Sequence, residues 1–388
     1  MTSKYSSKTT RITIAVLIIG VLIGTGVVGV NYLLSSHSGS QATKPRIPTS
    51  PYFDYVVVIV MENKNLNQTY GDSCVGNCSY ITQLANAYGL AGNYSGVAHR
   101  SLPNYLTLTS GDNYGYSPFM DNCSPQNNGC SIVKKNIIDR IEDTNRTWKI
   151  YIANFGGGCR GTQIPFVYYV DFYYNATRCS KIVNANPGQY KLLGDLPTAL
   201  LSDLNSVSTA PNLMWLQPNA CDIGYEACNS TSILPNSCPT MFAQCVSQTN
   251  AYLSLLVPQI LTSAVFRTQR ALLFVTWDEG AGNVFSSGKI CAGVGPTYPS
   301  CDDKIPAILA GPQIRPGFKS NATFSHYSFV RTLEIAWNFS SFTSLDENAL
   351  PMTSFFEVPL YDSRQQSTFA VWIATDSWRT DLYGRMKR

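Results

Sequence analysis

Between residues 55 and 61 the chain reads YVVVIVM, a continuous apolar run dominated by β-branched side chains. A half-exposed strand would alternate apolar with polar positions, so a short unbroken run predicts a strand buried on both faces of a parallel sheet. WKIYIA (148–153), LMWLQ (213–217), ALLFVTW (271–277) and IPAILAG (305–311) repeat the pattern. Between them NYLTLTSG, VKKNIIDRIEDT, DLPTALLSDLN, NAYLSLLVPQILTSAVF and HYSFVRTLEIAWN space their apolar residues as helices do. Strands alternating with helices predict the α/β class, with a mostly parallel central sheet flanked by helices.

A different pattern opens the chain. ITIAVLIIGVLIGTGVVGV, residues 12–30, carries no charge, continues into Tyr32, Leu33 and Leu34, and follows Lys4, Lys8 and Arg11. A secretory signal core spans ~7–15 residues and a membrane span ~20, so the length favours an uncleaved transmembrane signal anchor over residues 12–34. The basic flank, residues 1–11, is expected in the cytoplasm and the rest outside, a single-pass cell-membrane protein with its large domain extracellular. Residues 35–51 read as a Ser/Pro/Thr linker. A globular domain over 52–357 and a C-terminal extension over 358–388 complete the expected organisation.

Cysteine usage supports the outward placement. All twelve cysteines lie between Cys74 and Cys301, none with CxxC spacing, and the chain has three histidines, which favours disulfides over zinc clusters. Sequence neighbours are the simplest pairing: Cys74/Cys78, Cys123/Cys130, Cys159/Cys179, Cys221/Cys228, Cys238/Cys245 and Cys291/Cys301. Asn-x-Ser/Thr sequons at Asn67, Asn77, Asn93, Asn122, Asn145, Asn175, Asn229, Asn321 and Asn338 suit a glycosylated exterior. Charged residues are 13% of the chain and the net charge is +4, which gives no footprint for nucleic acid. No protein partner is predicted. So few charges also suit an acidic medium, with an expected flat stability curve between about pH 3 and 6.

Ligands of open α/β sheets sit beyond the carboxyl ends of the strands. Glu62-Asn63 directly follow YVVVIVM, and Asp278-Glu279 directly follow ALLFVTW. These hard oxygen donors would converge on a divalent cation if the two strand ends are neighbours; loop capping is the alternative. In HRSLPNYLTLTSG, Ser101 precedes Pro103 and an apolar helical pattern. A serine there is either an N-cap or a hydroxyl at the positive end of a helix, where an anion such as phosphate is favoured.

VVVIVMENKNLNQTYG, HRSLPNYLTLTSG, TWDEGAG and SHYSFVRTLEIAWN together, in this order, resemble the motifs of the phosphoesterase family of acid phosphatases and nonhaemolytic phospholipases C, within the alkaline phosphatase-like superfamily. The resemblance spans roughly residues 53–357. It implies Ser101 as nucleophile, a phosphoserine intermediate, and one divalent ion (Mg²⁺, Mn²⁺, Ca²⁺ or Zn²⁺) held by Glu62, Asn63, Asp278 and Glu279. It implies His326 as a catalytic, phosphoryl-contacting or metal-binding imidazole, and Asn104 and His99 as substrate contacts. Two family segments lack their histidines here, at Pro218–Tyr225 and Thr162–Pro165, which argues against a full two-zinc centre and leaves Asp222 as a further candidate ligand. The expected function is a membrane-anchored extracellular phosphate monoesterase. A phospholipase C-like phosphodiesterase, or a non-catalytic glycosylated surface protein on the same fold, are the alternatives.

Overall fold

The apolar runs form the middle of a sheet because each is covered on both faces. A computed structural model describes residues 50–98, 101–114, 123–125, 130–155, 159, 164–187, 194–229, 232–237, 242–281 and 304–357. Its strands are β1 (Tyr55–Met61), β2 (Gly89–Ala91), β3 (Trp148–Ile152), β4 (Ile182–Asn184), β5 (Leu213–Gln217), β6 (Ala271–Trp277), β7 (Ala307–Ala310) and β8 (Phe318–Ser320). They lie in the order β8-β2-β7-β6-β1-β5-β3-β4. The block β6-β1-β5-β3-β4 is parallel throughout. β7 runs antiparallel to both of its neighbours, and β8 is parallel to β2. Every residue of β5 and β6, and all of β1 after Tyr55, is buried.

The expected mostly parallel sheet is therefore present, with IPAILAG contributing its one reversed strand. A doubly buried run reads the same in either direction, so the pattern alone does not orient it. β2, β4 and β8 have three residues each, too short for an apolar pattern to register.

Among the described residues the helices of seven residues or more are α1 (Ser79–Ala87), α2 (Ser101–Ser110), α3 (Ile137–Asp143), α4 (Thr198–Leu204), α5 (Phe242–Leu261) and α6 (His326–Trp337). α6 packs onto β6, Phe329 stacking on Phe274 with ring centroids 4.3 Å apart. It also packs against α2, and both helices are almost entirely buried. That packing presents the first turns of α2 and α6 to the carboxyl edge of β1 and β6.

Three expected disulfides are formed, Cys74–Cys78, Cys123–Cys130 and Cys159–Cys179. Cys221 and Cys245 are also disulfide-bonded. Cys238, Cys291 and Cys301, the anchor and its basic flank, the linker up to residue 49, His99 and the extension 358–388 lie outside the described residues. Among the described residues no helix is long and apolar enough to cross a membrane.

Gly311 ends β7 where only glycine fits. Its φ is +150°, and a Cβ there would lie 2.2 Å from the Ala271 carbonyl oxygen at the start of β6. Gly311→Ala is expected to cost about 3 kcal/mol or more, from the backbone strain plus the clash. Thermal unfolding should show a Tm lower by several degrees; an unchanged Tm would contradict this packing.

Candidate active site

Pairing of β1 with β6 brings together residues more than two hundred positions apart. Met61 lies opposite Trp277, so the next residues, Glu62 and Asp278, leave the sheet side by side. The two exits are laced together. The Asp278 amide donates to the Met61 carbonyl (2.9 Å), the Asn63 amide to Asp278 Oδ1 (2.9 Å), and the Ala281 amide to Asn65 Oδ1 (3.0 Å). Asn63 takes the left-handed conformation, φ 50°, which brings its amide to Asp278. Asparagine tolerates that backbone better than most residues.

Ser101 opens α2. Pro103 lies in the first turn, where a missing N–H costs nothing because those amides have no intrahelical acceptor. The Ser101 hydroxyl donates to Glu62 Oε2 (3.2 Å) and lies 3.4 Å from Glu279 Oε1. One turn on, the Tyr105 hydroxyl donates to Glu62 Oε1 (2.9 Å), while Asn63 Nδ2 donates to Glu62 Oε2 (3.3 Å). Glu62 is thus held at both oxygens, and Oε2 faces the serine.

Crowding buried carboxylates raises their pKa values. Burial, then repulsion from Glu279, pushes Glu62 up to about 7 against the opposing hydrogen bonds. Burial and the charges of Glu62 and Glu279 push Asp278 well above the usual carboxylate range. Lys64, two residues beyond Glu62, is brought down to about 8 by burial despite the opposing pull of Asp278 and Glu62.

The other expected site residues support this cluster from behind. His326, the first residue of α6, is fully buried. Its Nε2 donates to the Asp278 main-chain oxygen (2.6 Å), since a carbonyl only accepts, and in the neutral ring Nδ1 accepts from the Tyr94 hydroxyl (3.0 Å). Burial lowers its pKa to about 4, so the ring is neutral at neutral pH. Asn104 Oδ1 accepts from the Val97 and Ala98 amides (2.7 and 3.1 Å), and its Nδ2 donates to the Ala98 carbonyl (2.7 Å). It therefore holds the segment leading to α2.

Asp222 stands apart, accepting from the Gly194 amide and Asn219 Nδ2 (2.9 and 2.8 Å), with its pKa raised to about 7 by burial. The structure brings together Glu62, Asn63, Ser101, Asp278 and Glu279, with His326 and Asn104 behind them. Tyr105 could have been found from its spacing, four residues after Ser101 on the same helix face. Lys64 and Tyr94 carried no such signal.

Among the described residues, no group of three His, Cys, Asp or Glu side chains is already arranged to hold a metal ion. The donor set still fits one. Asp278 Oδ2 is buried without a hydrogen-bond partner, a costly arrangement for an anion that a cation would relieve. Two oxygens bound ~2.1 Å from one cation, roughly 90–110° apart, lie about 3.0–3.4 Å from each other. The contacts of Ser101 with Glu62 and Glu279 fall at that spacing.

Comparisons with known proteins show what the whole chain is similar to. A model described as the Phosphoesterase family matches residues 75–340. A phosphatidylinositol-3-phosphatase of Mycobacterium tuberculosis is 24% identical over 351 residues, covering 89% of this chain and 95% of that protein. Among solved structures, a protein in the alkaline phosphatase superfamily from Vibrio parahaemolyticus superposes with a TM-score of 0.53. At 14% identity it covers 80% of this chain and 74% of its own, a likeness of fold.

Proposed function

The chain belongs to the phosphoesterase family, and from that premise we propose that it is a metal-dependent acid phosphatase that hydrolyses phosphate monoesters through Ser101. The observation that carries this reading is the Ser101 hydroxyl, at the first turn of a buried helix, in contact with Glu62 and Glu279. The name of the mycobacterial relative denotes removal of a monoester phosphate, which supports monoesters over diesters.

Glu62, Asp278 and Glu279, with Asn63 beside them, would hold one divalent cation; Mg²⁺, Mn²⁺, Ca²⁺ and Zn²⁺ are the ions to test. Bound there, the ion supplies Lewis-acid stabilisation of negative charge and lowers the pKa of the serine hydroxyl. Ser101 Oγ gives up its proton to water and attacks phosphorus in line as the phosphorus–oxygen bond to the alcohol breaks; the alcohol leaves with a proton from water, and a further water then splits the phosphoserine into inorganic phosphate and the serine hydroxyl. The positive end of α2 at Ser101 would face the developing charge on the phosphoryl oxygens. His326 acts as a positioning residue, keeping the Asp278 main chain in place. His326→Gln, which retains a donor, is expected to lower kcat about 10–100-fold. The pH profile should keep its shape; loss of one titrating limb would assign the imbalance to a missing proton donor and overturn the positioning role.

The proposed location is the cell surface, anchored through residues 12–34. The sequon residues Asn67, Asn145, Asn175, Asn321 and Asn338 are exposed, as glycosylation requires. Protease treatment of intact cells should remove the domain from a membrane-bound stub; protection of the domain would reverse the orientation.

A further inference from the structure

We infer that Lys64 is the resident positive charge of the carboxylate cluster, bringing its net charge to the value one divalent cation cancels while stitching the turn at 219–224 to Glu62. The inference rests on the metal-dependent reading above.

Lys64 is 2% exposed, a place where lysine is rare unless its charge is compensated. Its Nζ donates to the Glu62 carbonyl (3.3 Å) and to the Gly224 carbonyl (2.8 Å). Neutral carbonyls accept its protons but do not neutralise its charge. The acids lie beside it: Nζ reaches the main chain of Glu62 itself, and the amide of the intervening Asn63 is bonded to Asp278 Oδ1. With a cation bound, Glu62, Asp278 and Glu279 would be held ionised and carry three negative charges. One ammonium leaves two, which a single divalent cation cancels. Without Lys64, the same site loaded with that cation would keep one negative charge and repel a phosphate anion.

The stitch depends on the same side chain. The Glu62 amide donates to the Ile223 carbonyl (3.1 Å), so Glu62 and Lys64 between them grip two successive carbonyls of the turn. The turn is shaped for that approach. Gly224 has φ +82°, and a Cβ there would lie 2.7 Å from Thr249 Oγ1, which itself donates to the Asp222 carbonyl (3.2 Å).

The test compares full-length wild type with Lys64→Met and Lys64→Arg, reading thermal unfolding with and without Mn²⁺ and the inhibition constant of inorganic phosphate. In Lys64→Met the metal-free protein should melt below wild type, and saturating Mn²⁺ should close most of that gap. Phosphate should inhibit it about 10–30-fold more weakly, the effect of one charge several ångströms away in a partly screened interior, while Lys64→Arg stays near wild type. A deficit equal with and without Mn²⁺, or phosphate inhibition within twofold of wild type, would overturn the charge role. So would equal losses in Lys64→Met and Lys64→Arg, which would leave only the stitch. If Lys64→Met does not fold, Lys64→Met combined with Glu279→Gln restores the net charge; recovery of a folded protein supports the inference, and failure to recover it counts against. Wild type that shows no Mn²⁺-dependent shift removes the metal reading itself. A wild-type shift with an unresponsive Lys64→Met gap removes only the role of Lys64.

Discussion

Replacing Ser101 by alanine is expected to abolish hydrolysis of an aryl phosphate monoester, with kcat down about 10⁴-fold or more, because the covalent route is removed rather than slowed. The fold should not notice. Ser101 is only half-buried, and its hydroxyl reaches carboxylates rather than the hydrophobic core. Alanine also suits the first turn of a helix. The assay uses the domain with Mg²⁺, Mn²⁺, Ca²⁺ or Zn²⁺, and runs the matching diester beside the monoester. Monoester turnover lost in Ser101→Ala, at unchanged Tm, is the expected result. Retained turnover would move the nucleophile elsewhere, and a diester preference would favour the phosphodiesterase alternative.

Metal-free protein should be most stable in mild acid and lose stability from about pH 5 to 8, and Asp278→Asn should remove much of that loss. The sign follows from which state holds the proton more tightly. Glu62 and Asp222 titrate near 7, Glu334 near 8, and Asp278 well above its ordinary value, in each case chiefly through burial. A carboxyl whose folded pKa is raised contributes stability that is fully present below its unfolded pKa of ~4, and that stability disappears as pH climbs through the folded value. His326 opposes them. Its folded pKa of about 4 makes its contribution complete above ~6.5 and progressively lost as pH falls towards 4.

Four carboxyls against one imidazole put the maximum on the acid side of neutrality. The shift of Glu62 alone is worth on the order of 3 kcal/mol. Asparagine at 278 keeps an oxygen for the Asn63 amide and offers Nδ2 where the unpartnered Oδ2 stood. The metal-free variant should therefore melt several degrees above wild type at pH 7.5, lose any metal-induced shift and lose activity. Melting curves in chelator and in Mn²⁺ across pH 4.5–8.5 decide it. Stability that rises with pH in the metal-free wild type, or an unchanged slope in Asp278→Asn, would refute the buried-carboxylate account.

Much of the sheet was legible because burial on both faces writes an unmistakable pattern. β1, β5 and β6 begin and end where their apolar runs do. The three-residue strands β2, β4 and β8 and the reversal of β7 were not legible, since three residues hold no period and a doubly apolar run has no direction. At the site, Glu62, Asn63, Asp278 and Glu279 could be singled out because they follow buried strands, and Ser101 because it opens a helix. Their meeting could not be read from the chain.

By itself, then, the sequence determined the element types, the identity of the polar residues at strand and helix ends, and the family resemblance, because these depend on local composition and short-range spacing. Only the tertiary structure decided that β1 pairs with β6, which puts Glu62 beside Asp278, and that α2 docks so that Ser101 meets both Glu62 and Glu279. It also decided that the His326 ring is engaged by Tyr94 and the Asp278 main chain, that Asn104 grips backbone, and that Lys64 is buried against the main chain of Glu62. Burial, hydrogen-bond orientation and the pKa values that follow from them depend on which distant segments exclude water from a side chain, and that is a property of packing.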